Sequence, residues 1–187
     1  MRACLTAPLT AGGLSLTNAA IGLADVDSDD PQSVSDYLAV LLFSAALVAT
    51  ALAAAFLRRL GADRPRRACD VGVAVAMVGG TLAGVGNLVE DAFAVSAFGV
   101  LFALGGLALV VGLLTAGASL LATAPPRRWV GVALILVAIG IAVGEQAGFA
   151  LVGLTWIALA FLLGGRTRDF VARSPAPLPW SDRRVAC

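Results

Sequence analysis

Residues 37–57 read YLAVLLFSAALVATALAAAFL, a run of twenty-one residues without a single charge. A helix needs roughly 20 predominantly apolar residues to cross the hydrocarbon core of a bilayer. This stretch is therefore read as a membrane span. It also starts as a helix should: Ser33 is followed three residues later by Asp36, the spacing at which two residues cap each other's backbone N–H groups.

Working outward, the same pattern repeats. Val71–Val89 and Ala92–Ala124 carry no charge, and Trp129–Gly165 is broken only by Glu145 and Gln146. The second run is longer than a span requires, so its crossing part is placed at residues 97–121. The third would make one helix of about 55 Å with a Glu at its centre, a poor solution in lipid. Two spans, 129–144 and 147–165, turning at GEQAG, fit better. Span three is taken as 71–89.

Ala3–Ala24 is also uncharged but contains Pro8, Gly12, Gly13 and Asn18. It is read as a retained first span, the alternative being a cleaved signal peptide with Arg2 as its basic start. The expected fold is an all-α integral membrane protein, a bundle of six transmembrane helices with short loops, or five if residues 3–24 are removed. Residues 166–187 form a basic tail.

Composition agrees. Hydrophobic residues make up 59% and charged residues 13%, against about a quarter charged in soluble domains, and the mean hydropathy is +0.93. His and Lys are absent, and all 13 basic residues are Arg. That excludes imidazole metal ligands and relays, Ser–His dyads, Schiff-base lysines and a P-loop lysine. The Arg-only, Ala- and Gly-rich usage is read as the codon bias of a GC-rich, prokaryotic genome.

The charges also orient the chain. Arg2 precedes the first span, and Arg58, Arg59, Arg64, Arg66 and Arg67 follow the second. Arg127 and Arg128 follow the fourth, and Arg166, Arg168, Arg173, Arg183 and Arg184 follow the sixth. The intervening connections hold only acids: Asp25, Asp27, Asp29, Asp30 and Asp36, then Glu90 and Asp91, then Glu145. Arg-rich connections stay in the cytoplasm, so the expected location is the cell membrane with both termini cytoplasmic. The three cysteines, Cys4, Cys69 and Cys187, then fall on the reducing side and match neither a metal site nor a redox motif.

Small residues suggest how the spans pack. Gly72, Ala76, Gly80 and Gly84 recur every four residues in span three. Ala108, Gly112 and Ala116 do so in span four, and Gly140 and Gly144 in span five. Without a hydrophobic force between helices in lipid, close backbone approach through such residues drives association. These faces are expected to meet within the chain or in a homo-oligomer or membrane partner; Gly99 lies off them.

The candidate functional residues are polar ones at the acidic side. Asn87 and Glu90 share a helix face, and Glu145 and Gln146 join them if spans three and five are neighbours. Asp91 is expected to open the next segment and to be more exposed than Glu90. Such a cluster would suit a cation or proton at an outer vestibule. No cofactor, metal or nucleic-acid partner is indicated. The tail, with Pro175, Pro177, Pro179 and Trp180, would meet a cytoplasmic partner or anionic lipid. The function expected is therefore non-enzymatic and structural, accessory or regulatory, the alternative being a small-solute or cation/proton transporter or channel subunit using the outer-face acidic cluster.

Overall fold

Long runs of Ala, Leu and Val leave the backbone only its own groups to bond, and those runs form helices. The computed structural model describes residues 2–23, 33–58, 67–124 and 127–173, with side chains for all but 2–4, 58, 145 and 165–173. These residues form six α-helices: α1 (Arg2–Gly22), α2 (Val34–Arg58), α3 (Arg67–Phe93), α4 (Gly99–Leu121), α5 (Arg127–Val143) and α6 (Glu145–Arg173), with a 3₁₀ turn at Ser96–Phe98 before α4. Four segments are long and apolar enough to cross a membrane: Val34–Leu57, Arg67–Phe93, Ser96–Leu121 and Gln146–Gly164. The two remaining helices are α1, with 21 residues and Pro8 inside it, and α5, with 17.

Local chemistry sets the ends. At the start of α2, the Ser33 amide donates to Asp36 Oδ2 at 2.8 Å and the Asp36 amide to Ser33 Oγ at 3.3 Å, the reciprocal cap that the spacing predicts. No breaker follows Glu90 and Asp91, so α3 runs through both to Phe93. The chain reverses at Ala94, which takes a left-handed φ of 54°. Asp91 thus ends α3; it does not open the next helix, and both acids are half-buried. Between α5 and α6 the turn is Gly144 at φ 65°. The tail expected from residue 166 begins inside α6, which continues to Arg173; Pro175 to Cys187 lie outside the described residues.

Each helix packs against its neighbours in sequence, and α1 packs against α6, so the six form a closed ring. Neighbours run antiparallel. On α1 and α6, Gly12 faces Gly153, Gly22 faces Gln146, and Leu5 lies beside Gly164. On α4 and α5, Gly117 faces Gly131, and on α5 and α6, Gly140 faces Gly148. The beginnings of α1, α3 and α5 therefore gather at one end with the ends of α2, α4 and α6. That end carries Arg2, Arg58, Arg67, Arg127, Arg128, Arg166, Arg168 and Arg173. The other carries Asp36, Glu90, Asp91 and Glu145.

Inside the ring the largest fully buried side chain is Trp156 of α6, with Leu109, Leu113, Leu134 and Val137 around the same core. Its indole N–H donates to Thr50 Oγ1 on α2 at 3.4 Å. The exposed large residues, among them Val78, Leu104, Leu107 and Phe161, are apolar and face outward, where lipid would meet them.

The tightest pair is α3–α4. A Cβ on Gly72 would lie 2.6 Å from the Ala116 amide nitrogen. One on Gly79 would fall on the Leu109 amide nitrogen and 2.7 Å from the Gly105 carbonyl oxygen. One on Gly105 would come within 2.8 Å of the Gly79 carbonyl. Backbone thus meets backbone, which only glycine allows. The facing set is Gly72, Ala76, Gly79, Ala83 and Gly86, alternating steps of four and three residues. Those steps hold one side of a helix, because seven residues fall only about 20° short of two turns.

The four-residue stripe read from sequence does not stay on one face. Each four-residue step advances about 40° around the helix, so Gly72 and Ala76 face α4 while Gly80 and Gly84 have turned toward α2. There a Cβ would meet Ala51 Cβ at 2.7 Å and the Ser44 carbonyl oxygen at 2.9 Å respectively. Of the other predicted packing residues, Gly112 and Ala116 face Gly72 and Ala76, and Ala108 backbone lies beside Gly79. Gly140 packs on Gly148 and Val152, but Gly144 makes the turn, and a Cβ on it would touch nothing within 4 Å. Gly99 is not a neutral position, since a Cβ there would come within 2.8 Å of the Glu90 carboxylate.

Candidate functional site

The polar residues singled out at the acid end are held by three different neighbours. Asn87 faces α2 one turn beyond Gly84 and is buried. Its amide nitrogen donates to Ser44 Oγ at 3.2 Å, a bond between helices in the interior. Glu90 lies one turn further, on the α4 side, with its carboxylate over Gly99 at the first turn of α4. An anion there meets the positive end of the α4 dipole. Gln146, in the first turn of α6, donates from its Nε2 to the Gly22 carbonyl at 3.4 Å and so closes the end of α1. Helices α3 and α6 sit across the ring from each other, which is why these residues do not gather around one point. Glu145 starts α6 beside Gly144.

Several other polar side chains in the bundle also have partners. Ser15 donates to the Ala11 carbonyl at 2.9 Å, a bond within α1. Thr81 and Thr115 do the same to Met77 and Val111. Arg128 Nε donates to the Leu121 carbonyl at 3.1 Å and ties the α4–α5 turn. Among the described residues every buried side-chain nitrogen or oxygen has a hydrogen-bond partner. Cys69 is buried in the first turn of α3.

Sequence reading missed Ser44, Thr50 and Trp156. Ser44 and Thr50 stand six residues apart in α2, about 120° apart around the helix, so no one-face pattern marked them. Ser44 turns toward Asn87 of α3 and Thr50 toward Trp156 of α6. It also missed an aromatic set: Phe43 of α2 stacks edge-on against Phe149 of α6 at 4.9 Å and against Phe102 of α4 at 5.9 Å between centroids.

Compared with protein-family models, curated proteins and solved structures, the chain matches none. The class the fold defines is that of an all-helical bundle with four helices long and apolar enough to cross a bilayer.

Proposed function

We propose that this protein is a multi-pass component of a prokaryotic cell membrane, with six spans and both termini in the cytoplasm, serving a structural or accessory role without catalysis. What supports six spans is the extent of the two shorter helices. Helix α1 lies along α6 from Leu5 beside Gly164 to Gly22 beside Gln146, the same height as a helix long enough to cross. Helix α5, with 17 residues, reaches the lower limit for a span, and it reaches from the Arg end to the acid end. The orientation follows from charge. Every Arg among the described residues falls at one end of the bundle, and the other Arg lie in sequence on the same alternate connections or in the tail. Arg-rich segments stay inside.

The single observation that carries the role is the packed apolar core. Trp156, Leu109, Leu113 and Val137 are fully buried in the core, and among the described residues every buried side-chain nitrogen or oxygen has a hydrogen-bond partner. A conduction path for ions needs water or unpaired polar groups along it. Small-residue faces are used up between helices of one chain, which leaves the Arg-rich end and the tail for a cytoplasmic partner or anionic lipid.

The reading is tested by reconstitution. Vesicles holding the purified protein are expected to stay as tight to protons, sodium and potassium as protein-free vesicles under an imposed gradient. A leak that is lost in Glu90→Gln would contradict the structural reading and favour the transporter alternative.

A further inference from the structure

Glycines in α3 to α6 nearly all touch a neighbouring helix, and Gly106 does not: a Cβ there would find nothing within 4 Å, although Gly105 beside it is locked against Gly79. Gly106 instead lines an apolar groove of about 450 Å³. The groove has a packing cause. Gly105 and Gly112 draw α4 onto α3, while Gly140 and Gly148 draw α5 onto α6. Helices α4 and α5 touch through glycine only at Gly117 and Gly131, near the Arg end. Toward the acid end they part, and Phe43, Phe102 and Phe149 form the floor of the gap.

Its dimensions suit an amphiphile. The wall on α4 runs from Phe102 to Val110, and its mouth reaches Gly144 at the acid end. From Gly99 to Val110 is about 17 Å of helix, close to half of the roughly 30 Å hydrocarbon thickness. The volume lies within the ~300–1,000 Å³ of small-ligand pockets. Ala103 and Leu107 on one lip and Ala142 on the other are exposed, so the groove opens sideways. One acid stands near its mouth: the Glu90 carboxylate lies over Gly99, one turn from the lining residue Phe102. No basic residue occurs at this end of the chain's helices.

We propose that the groove binds an amphiphile with a cationic head, one apolar chain lying between α4 and α5 and the positive group meeting the Glu90 carboxylate. Glu90 chooses the occupant: a bare hydrocarbon chain would not need it, and an anionic lipid would be repelled. Gly106 and Ala103 provide the room for the chain. The proposal rests on the membrane reading above, which is checked separately by whether the protein stays in membranes washed with alkaline carbonate.

The test uses the full chain in vesicles with three photoactivatable alkyl probes of one chain length, bearing a trimethylammonium, a hydroxyl or a carboxylate head. The ammonium probe is expected to label peptides containing Phe102–Val110 and Phe149 about fivefold more than the hydroxyl probe, the size of a partly exposed ion pair. Glu90→Gln should bring the two probes closer together. Gly106→Leu should remove groove labelling by all three probes and keep the fold. The added Cβ would meet no atom within 4 Å, and the rest of the side chain would point into the groove. Equal labelling by the three heads would mean an ordinary lipid chain and overturn the proposal. So would groove labelling unchanged in Gly106→Leu, or labelling no stronger than at the lipid-facing Val71–Val78 surface. A protein extracted by carbonate would overturn the membrane reading instead.

Discussion

Replacing Gly79 with leucine is expected to cost about 3 kcal/mol or more, at the upper end of what overpacking does. The added Cβ would fall on the Leu109 amide and within 2.7 Å of the Gly105 carbonyl oxygen. Backbone atoms in the middle of two long helices cannot step aside as a side-chain tip can. Helix α4 would have to lift off α3 along its whole length and give up the Gly72–Ala116 and Gly86–Phe102 contacts with it. Gly13→Leu is the control, because that position on α1 is exposed and has open space; it should change stability by no more than about 0.5 kcal/mol. The measurement is the unfolding free energy in mixed micelles. Equal losses for the two variants would mean that close approach of α3 and α4 is not what holds this pair.

Trp156→Ala should have an effect of similar size, about 3–5 kcal/mol. Trp156 is fully buried, and it fills the inside of the ring where α2 and α6 do not themselves come close. Truncation leaves a cavity that the surrounding ring of helices cannot collapse to fill. Thr50→Val separates packing from hydrogen bonding, since it removes the acceptor of the indole N–H and keeps the volume. Its cost should be about 1 kcal/mol, the range of hydrogen bonds between membrane helices. If Trp156→Ala cost no more than Thr50→Val, the core would not depend on the volume of the ring.

Helices and their order were legible because each depends on local composition. An uncharged run of twenty residues admits little besides a helix, and Gly144 before Glu145 marks a turn by its own chemistry. Ser33 and Asp36 were legible for the same reason, as both partners of the cap lie within four residues. Which face meets which neighbour was harder. Spacing of four looks like one stripe on paper, yet by the third repeat it has turned through about 120°, which sends Gly80 and Gly84 to α2. The acid-end residues show the other limit. Whether Asn87, Glu90 and Gln146 meet depends on where α3 and α6 stand in the ring, and that order is set by contacts between distant segments, above all by α1 closing onto α6.

The six-span, both-termini-inside arrangement is tested most directly by single cysteines placed in each connection of a variant lacking Cys4, Cys69 and Cys187. Ser28→Cys, Ser96→Cys and Ala147→Cys should react with a membrane-impermeant maleimide in intact cells. Ala62→Cys, Ala124→Cys and Asp182→Cys should react only after permeabilisation. Ala124→Cys and Ala147→Cys labelled from the same side would show that α5 does not cross, and Ala62→Cys labelled from outside would contradict the orientation itself.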